Sequence, residues 1–267
     1  MAHGHRWMTG TRDIAFALAL GLPLAAQPAT AAESCGPDAL GTARVLEVNP
    51  KGVQVGTKSF PGTLPLAPRE VVLTFDDGPW PKTTEAILDA LKAECARATF
   101  FIIGDNAKAR PALVRRELAE GHTVAHHSMT HPAATLAKLP FDAAVADIRK
   151  GIAADETAAY GASGAVPRVP FFRFPGFAST PELLAYLDRS GIAVFGADFW
   201  ASDWNKMTPE QELDLVLKRL DAAGGGIVLF HDTKAQTAAM IPAFLRALKE
   251  KGYKVVHIVP AQQHAAR

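Results

Sequence analysis

From residue 71 to residue 260, short apolar segments alternate with longer amphipathic segments. Apolar residues recur at helical spacing in the longer segments, which predicts helices, whereas the short segments predict buried strands. The predicted strands are VVLTF, ATFFIIG, TVAHHS, VPFFRFPG, AVFGADFW, GIVLFHD and YKVVHIV. The predicted helices are TTEAILDALKAE, NAKARPALVRRELAEGH, FDAAVADIRKGIAADETAAYG, TPELLAYLDRSG, TPEQELDLVLKRLDAAGGG and MIPAFLRALKEKG. This alternation predicts a parallel α/β sheet covered on both faces, either a barrel or an open doubly wound sheet.

The first 32 residues have the pattern of a secretory signal. An apolar run from Ile14 to Ala26 lies between a basic start and the small residues of QPATAAES. This order of segments is typical of exported proteins, and the run is too short to span a bilayer comfortably. We expect cleavage near Ala31 or Ala32 and export to the periplasm or the cell exterior, with no stable membrane anchor afterwards.

Residues 33–70 precede the regular alternation and contain RVLEV, GVQVGT and the proline-rich FPGTLPLAPRE. They predict an N-terminal arm with one or two short strands, lying against the main domain of residues 71–260. Residues 261–267 are a predicted C-terminal tail.

The net charge and the cysteine content limit the partners and the metal ligands that the sequence indicates. The 267 residues carry a net charge of +1 and no basic block, so the sequence indicates neither a nucleic-acid partner nor binding to an anionic membrane. Export would allow the two cysteines, Cys35 and Cys95, to form a disulfide; two unpaired buried thiols are the alternative. Because there is no cysteine cluster, any metal must be bound by histidines and carboxylates.

Ionisable residues gather where the predicted strands end. The carboxyl ends of parallel strands lie at one rim of the fold, where active sites form. The residues at these ends are Asp76, Asp77, His126, His127, His131, Arg173, Asp198, Asp203, His231 and Asp232. We therefore expect all of them at one rim.

The segment HHSMTHP indicates a metal site. His127 and His131 are four residues apart, and one helical turn would put both on the same face. With one carboxylate from Asp76 or Asp77 they form a ligand set that leaves positions open for water and substrate. The other aspartate then stays free to accept a proton. A surface coincidence is the alternative for the histidine pair.

Three further residues suit hydrolysis at this rim. His231 titrates near neutrality, as a general acid requires, unless it is a packed core histidine. Arg173 lies in the apolar segment FFRFPG, where burial requires a carboxylate partner; Asp76 is the expected partner, and another acid is the alternative. Asp203, which precedes Trp204, belongs either to this site or to an exposed loop.

These motifs resemble the polysaccharide deacetylases, carbohydrate esterase family 4, which share the NodB homology domain. Five family motifs occur in order: TFDDG, HSMTH, RFPG, DW within ASDWNK, and LFH. The resemblance implies that residues 71–260 are the catalytic domain, folded as a distorted (β/α)7 barrel. It also implies a divalent metal, most commonly Zn²⁺, with Co²⁺, Ni²⁺ or Mn²⁺ as alternatives.

The resemblance further implies a role for each matched residue. Asp76 is implied to be the catalytic base, oriented by Arg173. His231 is implied to be the general acid, tuned by Asp203. The implied metal ligands are Asp77, His127 and His131. The implied substrate contacts are Trp204 and Leu229 around the acetyl methyl group and the backbone near Gly176 at the oxyanion.

Two positions depart from the family pattern. An aromatic residue often occupies the position of Gly176. An acid often lies three residues before the Asp-Trp pair, where this chain has Trp200, with Asp198 two residues earlier. We therefore expect a different wall facing the sugar, and Asp198 has no implied role.

The expected reaction is metal-dependent hydrolysis of the linear amide C–N bond of N-acetyl groups on amino-sugar polymers, peptidoglycan or chitin-type N-acetylglucosamine. O-acetyl ester hydrolysis on glycans such as xylan is the alternative for the same site. A sugar-binding protein with a decayed site is disfavoured by the intact motifs. An Asp-nucleophile phosphatase is disfavoured because the acids of FDDG are adjacent rather than separated by one residue.

Overall fold

The structure is a computed structural model that describes residues 1–4, 36 and 38–261. The chain divides into Met1–Ser34 and a compact unit, Cys35–Arg267. Most of the predicted signal, Cys35 and the last six residues lie outside the described residues, so the signal and the Cys35–Cys95 disulfide stay predictions. Within the described ranges, no helix combines the length and the apolar character needed to cross a membrane.

The described residues form ten strands and seven α-helices. The strands are β1 (Arg44–Val48), β2 (Gln54–Val55), β3 (Glu70–Asp76), β4 (Thr99–Ile102), β5 (Thr123–His126), β6 (Phe171–Phe172), β7 (Ala193–Phe195), β8 (Phe199–Trp200), β9 (Gly226–His231) and β10 (Lys254–Pro260). The helices are α1 (Thr83–Ala93), α2 (Gly104–Ala109), α3 (Pro111–Ala119), α4 (Phe141–Tyr160), α5 (Pro181–Arg189), α6 (Pro209–Ala223) and α7 (Ala235–Glu250).

Seven strands form the barrel. They pair in the order β8-β9-β3-β4-β5-β6-β7, and every pair is parallel. The strands at the two ends of this order, β7 and β8, are separated in the chain only by residues 196–198. The predicted α/β class with a distorted (β/α)7 barrel is confirmed.

Alternation along the strands sorts their side chains into two layers. Leu73 and Phe75 of β3 pack in the cluster that contains the helix residues of α1, α6 and α7. Val72 and Phe101 belong to a second cluster, which fills the barrel interior. Asp76 has the same parity as Val72, so it points inward at the carboxyl end of β3.

Three segments differ from the sequence prediction. AVFGADFW is two strands rather than one, because β7 ends at Phe195 and β8 begins at Phe199. The predicted second helix divides into α2 and α3, since Pro111 disfavours helical backbone at Arg110, which has φ −138° and ψ 53°. The last predicted strand, β10, lies outside the barrel order and pairs with β1 and the beginning of β3.

Asp198 does not lie at the expected rim. It precedes β8 and lies against Gly226, the first residue of β9, at the amino end of the barrel. Its carboxylate accepts hydrogen bonds from Thr57 N and Oγ1 (both 2.9 Å), Thr63 Oγ1 (2.6 Å) and Ile227 N (2.7 Å). Thr57 and Thr63 precede β3, the first barrel strand in the chain. The carboxylate of Asp198 therefore connects the segment that contains them to β9 through hydrogen bonds.

Arg44 of β1 makes a second connection at the amino end of the barrel. Its Nε and Nη2 donate to the two carboxylate oxygens of Glu70 at 2.8 and 2.6 Å, and Ala67 N donates to the same group at 2.8 Å. The hydrogen bond from Arg44 lowers the pKa of Glu70 to about 2, although burial opposes the shift. The ion pair therefore stabilises the fold above the ordinary pKa of 4.5, and its contribution is lost as the pH falls toward about 2.

We predict that Arg44→Met lowers the free energy of unfolding near neutral pH, and that this deficit shrinks as the pH falls from about 4.5 to about 2. Urea denaturation of both proteins across this pH range measures the deficit. Arg149→Met, at an exposed position of α4, is the matched control and should show no such trend. A deficit that is constant with pH would argue against the ion pair as its source.

Candidate active site

Arg173 lies fully buried beside Asp76. Its Nη1 donates to Asp76 Oδ1 at 2.7 Å and to Thr74 Oγ1 at 2.9 Å. Its Nη2 and Nε donate to the carbonyl oxygens of Gly196 and Phe195 at 2.8 and 3.3 Å. Burial lowers the pKa of Arg173, and the charge and hydrogen bond of Asp76 oppose this shift. The guanidinium thus fixes one oxygen of Asp76 and leaves Oδ2 available.

Asp77 follows the last residue of β3 and turns away from the strand with a left-handed backbone, φ 75°. Asn106 Nδ2 donates to its carbonyl oxygen at 2.7 Å. The next residue is Gly78, where a Cβ would overlap the carboxylate of Asp232. Because of this turn, the adjacent aspartates face different partners: Asp76 faces an arginine, and Asp77 faces two histidines.

His127 and His131 both reach Asp77, with their Nε2 atoms 3.4 and 3.5 Å from its Oδ1. They lie on a loop after β5 rather than on the helical turn expected from their spacing, and that expectation was wrong. Ser128 and His131 adopt positive φ, 69° and 47°, which a helix does not allow. His127 Nδ1 donates to the carbonyl oxygen of Arg173 at 2.8 Å, so its Nε2 lone pair is directed toward Asp77.

Helix α4 stabilises the loop that carries His127 and His131, and the sequence analysis did not predict this contribution. Met129 N and Thr130 Oγ1 donate to the carboxylate of Asp147 at 2.9 and 2.7 Å. Gly151 lies against the backbone of Ser128, where a Cβ would overlap the carbonyl group. Asp147 and Gly151 are four residues apart and therefore share one helix face, but the sequence does not show which loop that face contacts.

The side chains of Asp77, His127 and His131 fit a divalent metal. One ligand atom of each lies within 4.8 Å of the other two. Asp77 Oδ1 is buried and lacks a hydrogen-bond partner among the described residues, so a cation would satisfy it. Burial raises the pKa of Asp77, but the imidazoles of His127, His231 and His131 close to its carboxylate lower it well below its usual range. Two imidazoles and a carboxylate suit Zn²⁺ and related ions.

His231 lies at the end of β9, with its Nε2 3.9 Å from Asp77 Oδ2. Its Nδ1 and backbone N–H lie 2.7 and 2.6 Å from the two carboxylate oxygens of Asp203, which is buried. Burial lowers the pKa of His231, but the hydrogen bond and charge of Asp203, with the charges of Asp77 and Asp76, raise it to about 9. Asp203 thus orients the imidazole and stabilises its protonated form.

One pocket of about 370 Å³ connects these groups. It is lined by Asp76, His127, His131, Phe174, Gly176, Phe177, Trp200, Trp204, Leu229 and His231. Trp204 is half exposed and packs edge-on against His231, with ring centroids 5.9 Å apart. Phe177 and Trp200 stack at 5.9 Å, so Phe177 supplies an aromatic ring one residue after Gly176. The wall therefore combines apolar rings with a few ionisable groups, as ligand sites do.

His126 and Asp232 lie at the carboxyl ends of β5 and β9, as expected, but they do not line this pocket. His126 Nδ1 lies 2.9 Å from Asp155 Oδ2 of α4. Asp232 Oδ2 accepts a hydrogen bond from Thr84 Oγ1 of α1 at 2.5 Å. Each neighbours in sequence a histidine that faces the pocket, and the alternation of strand side chains directs it to the outer layer.

Known proteins are similar to this chain in sequence and in fold. The sequence profile of the family described as polysaccharide deacetylase matches residues 64–195. A chitooligosaccharide deacetylase of Bradyrhizobium is 32% identical over 206 residues, which cover 72% of this chain and 90% of that protein. The chain belongs to the polysaccharide deacetylase family.

Two further relatives match most of this chain. A peptidoglycan-N-acetylglucosamine deacetylase of Bacillus cereus is 37% identical over 187 residues, 68% of this chain. The structure of a peptidoglycan deacetylase of Bdellovibrio bacteriovorus is similar over 82% of this chain, with a TM-score of 0.67 and 34% identity. The chain spans 66% of the Bacillus protein and 61% of the Bdellovibrio chain.

We predict that the chain binds one divalent ion at Asp77, His127 and His131, and that His127→Ala weakens Zn²⁺ binding by more than about 100-fold, because one of three protein ligands is lost. Calorimetric titration of chelator-treated protein with Zn²⁺ measures the affinity. His126→Ala, which removes the neighbouring imidazole from the α4 side, is the matched control and should bind Zn²⁺ as the wild type does. Equal affinities of wild type and His127→Ala would contradict the ligand set.

Proposed function

We propose that the chain is a metal-dependent hydrolase that removes N-acetyl groups from amino-sugar polymers, either peptidoglycan or chitin-type chains. The separation of the two adjacent carboxylates carries the proposal: Asp76 pairs with Arg173, whereas Asp77 faces two histidines. His231 reaches the same pocket from another strand. The relatives named as deacetylases of peptidoglycan and of chitooligosaccharides support this substrate class.

In this proposal Asp77, His127 and His131 hold the metal, for which we propose Zn²⁺. When bound, the ion acts as a Lewis acid on the acetyl carbonyl and favours deprotonation of the attacking water. The buried, unpaired oxygen of Asp77 and the directed lone pair of His127 support this assignment.

Asp76 is the proposed general base. Arg173 occupies its Oδ1, while Oδ2 lies 3.9 Å from His127 Nε2 and so borders the ligand set. The ion pair restrains the orientation of the Asp76 carboxylate. As the water oxygen attacks the carbonyl carbon, Asp76 accepts the proton that the water loses.

His231 is the proposed general acid. Asp203 engages its Nδ1 side, which leaves Nε2 to donate a proton to the amide nitrogen. The C–N bond then breaks, and acetate and a free amine are released. An amide nitrogen is a poor leaving group without a proton, so this step needs an acid. The backbone near Gly176 is proposed to stabilise the oxyanion.

The apolar part of the pocket is proposed to select the acyl group. Trp204 and Leu229 line it next to His231 and would enclose the acetyl methyl group. The stacked rings of Phe177 and Trp200 offer an aromatic face to the sugar.

We also propose that the protein is exported to the periplasm or the cell exterior, where these glycans occur, and that Cys35 and Cys95 pair there. The N-terminal apolar run and its flanks support export. The mass of the secreted protein before and after reduction tests cleavage and pairing together: an uncleaved N-terminus or two free thiols would refute the corresponding part.

We predict that Asp76→Asn still binds Zn²⁺ but loses at least about 100-fold in turnover, because an amide cannot accept the proton. Acetate release from chitin oligomers and from peptidoglycan, with and without chelator, is the measurement. Asp105→Asn, at an exposed position of α2, is the control and should leave turnover unchanged. Full activity of Asp76→Asn would refute Asp76 as the base.

We predict that His231→Ala lowers amide hydrolysis by about 100-fold or more and lowers hydrolysis of O-acetyl esters far less, because an alcohol leaves more readily than an amine without a proton donor. Acetate release from chitin oligomers and from acetylxylan separates the two. Equal losses on both substrates would argue against His231 as the acid. Higher wild-type turnover on acetylxylan than on every N-acetylated glycan would favour the O-acetyl esterase alternative.

A further inference from the structure

Glu212 of α6 is a fully buried carboxyl group that the proposed mechanism does not use. Its Oε1 lies 2.9 Å from Thr237 Oγ1 of α7, and its Oε2 lacks a hydrogen-bond partner among the described residues. An ionised carboxylate in such surroundings is costly, whereas a protonated carboxyl group requires much less solvation.

The hydroxyl of Thr237 lies between two carboxyl groups. Its Oγ1 is 2.9 Å from Asp203 Oδ2 and 2.9 Å from Glu212 Oε1. A hydroxyl group has one proton and can donate it to only one of these acceptors. The other carboxyl group can form a hydrogen bond with Thr237 only if it donates a proton of its own to the hydroxyl oxygen.

Asp203 is the partner that accepts. Its two oxygens already receive the Nδ1 and backbone N–H of His231 at 2.7 and 2.6 Å. An imidazole binds a proton more tightly than a carboxyl group does, so the proton between them lies on His231 Nδ1 and Asp203 is the acceptor. Thr237 therefore donates to Asp203, and Glu212 is left to donate to Thr237.

We propose that Glu212 is a positioning residue that retains its proton and donates a hydrogen bond to Thr237, which in turn donates to Asp203 and so orients His231. Its effect on turnover rests on the proposed function, in which His231 is the general acid. Burial and the charge of Asp203 raise the pKa of Glu212 to about 7, although the contact with Thr237 and the charge of His231 oppose this shift.

This arrangement has two consequences for the acid. The chain of donors gives Asp203 Oδ2 a second hydrogen bond besides that of the His231 backbone, so the carboxylate cannot rotate freely relative to the imidazole. A neutral Glu212 also keeps one negative charge rather than two behind His231, which avoids repulsion between two buried carboxylates.

The protonation of Glu212 can be tested without any turnover. We expect the infrared difference spectrum of wild type minus Glu212→Gln, recorded at about pH 6, to contain the carbonyl band of a protonated carboxyl group. We also expect the Nδ1–H proton resonance of His231 to shift in Glu212→Leu and to stay near its wild-type position in Glu212→Gln, whose amide can still donate to Thr237. A difference spectrum with carboxylate bands alone would overturn the proposal.

Kinetic measurements test whether the contact between Glu212 and Thr237 affects the proposed general acid, His231. Glu212→Leu and Thr237→Val, which break the chain of donors, should lower kcat on chitin oligomers about tenfold with little change in KM. Glu212→Gln and Thr237→Ser, which preserve a donor at each position, should retain kcat within about threefold. Val216→Ala, a core truncation on the same helix, controls for loss of stability and should retain kcat even if its melting temperature falls.

The outcomes are distinct. Wild-type kcat in Glu212→Leu, or an equal loss in Glu212→Gln and Glu212→Leu, would overturn the proposal. If the wild type releases no acetate from any glycan, the proposed function fails, while the infrared and proton-resonance measurements still decide the protonation of Glu212 and its contact with His231.

Discussion

The positive charge of Arg173 lies inside the barrel with no exposed surface, and the geometry of the site depends on how that charge is accommodated. Its guanidinium donates to Asp76 and to two carbonyl oxygens at the end of β7, while its own carbonyl oxygen accepts the Nδ1 proton of His127. One residue thereby restrains the proposed base, the end of a strand and the tautomer of a proposed metal ligand. Replacing its side chain would leave the buried carboxylate of Asp76 without its partner.

On the side of the pocket opposite Arg173, a carboxylate rather than a buried cation organises the hydrogen bonds. His231 is oriented by Asp203, and Asp203 lies against a hydroxyl and a second carboxyl group rather than a buried cation. The base side is therefore organised by a fixed positive charge, and the acid side by a fixed negative charge. In the proposed mechanism, this opposition suits a base at Asp76 and an acid at His231.

The α/β class and the cluster of motif residues could be predicted because strand periodicity and the five motifs are local in sequence. The different roles of adjacent residues, such as His126 and His127, could not be predicted, since they depend on the direction in which each side chain points. His126 and Asp232 appear equivalent to their neighbours in the sequence, yet they contact α4 and α1. Asp198 appeared to end a strand, but β8 begins after it. Asp147 and Glu212 act across contacts between distant segments, which no local pattern encodes.

The alternation that separates His126 from His127 also constrains how the length of the chain can vary. One residue added or removed within β5 would exchange the two imidazoles, turning the one that faces Asp155 toward the pocket and the other toward α4. The same holds for His231 and Asp232 at the end of β9. Changes in length are therefore tolerable in the segments between a helix and the next strand, but within these short strands they would replace one chemical group by another while leaving the overall fold recognisable.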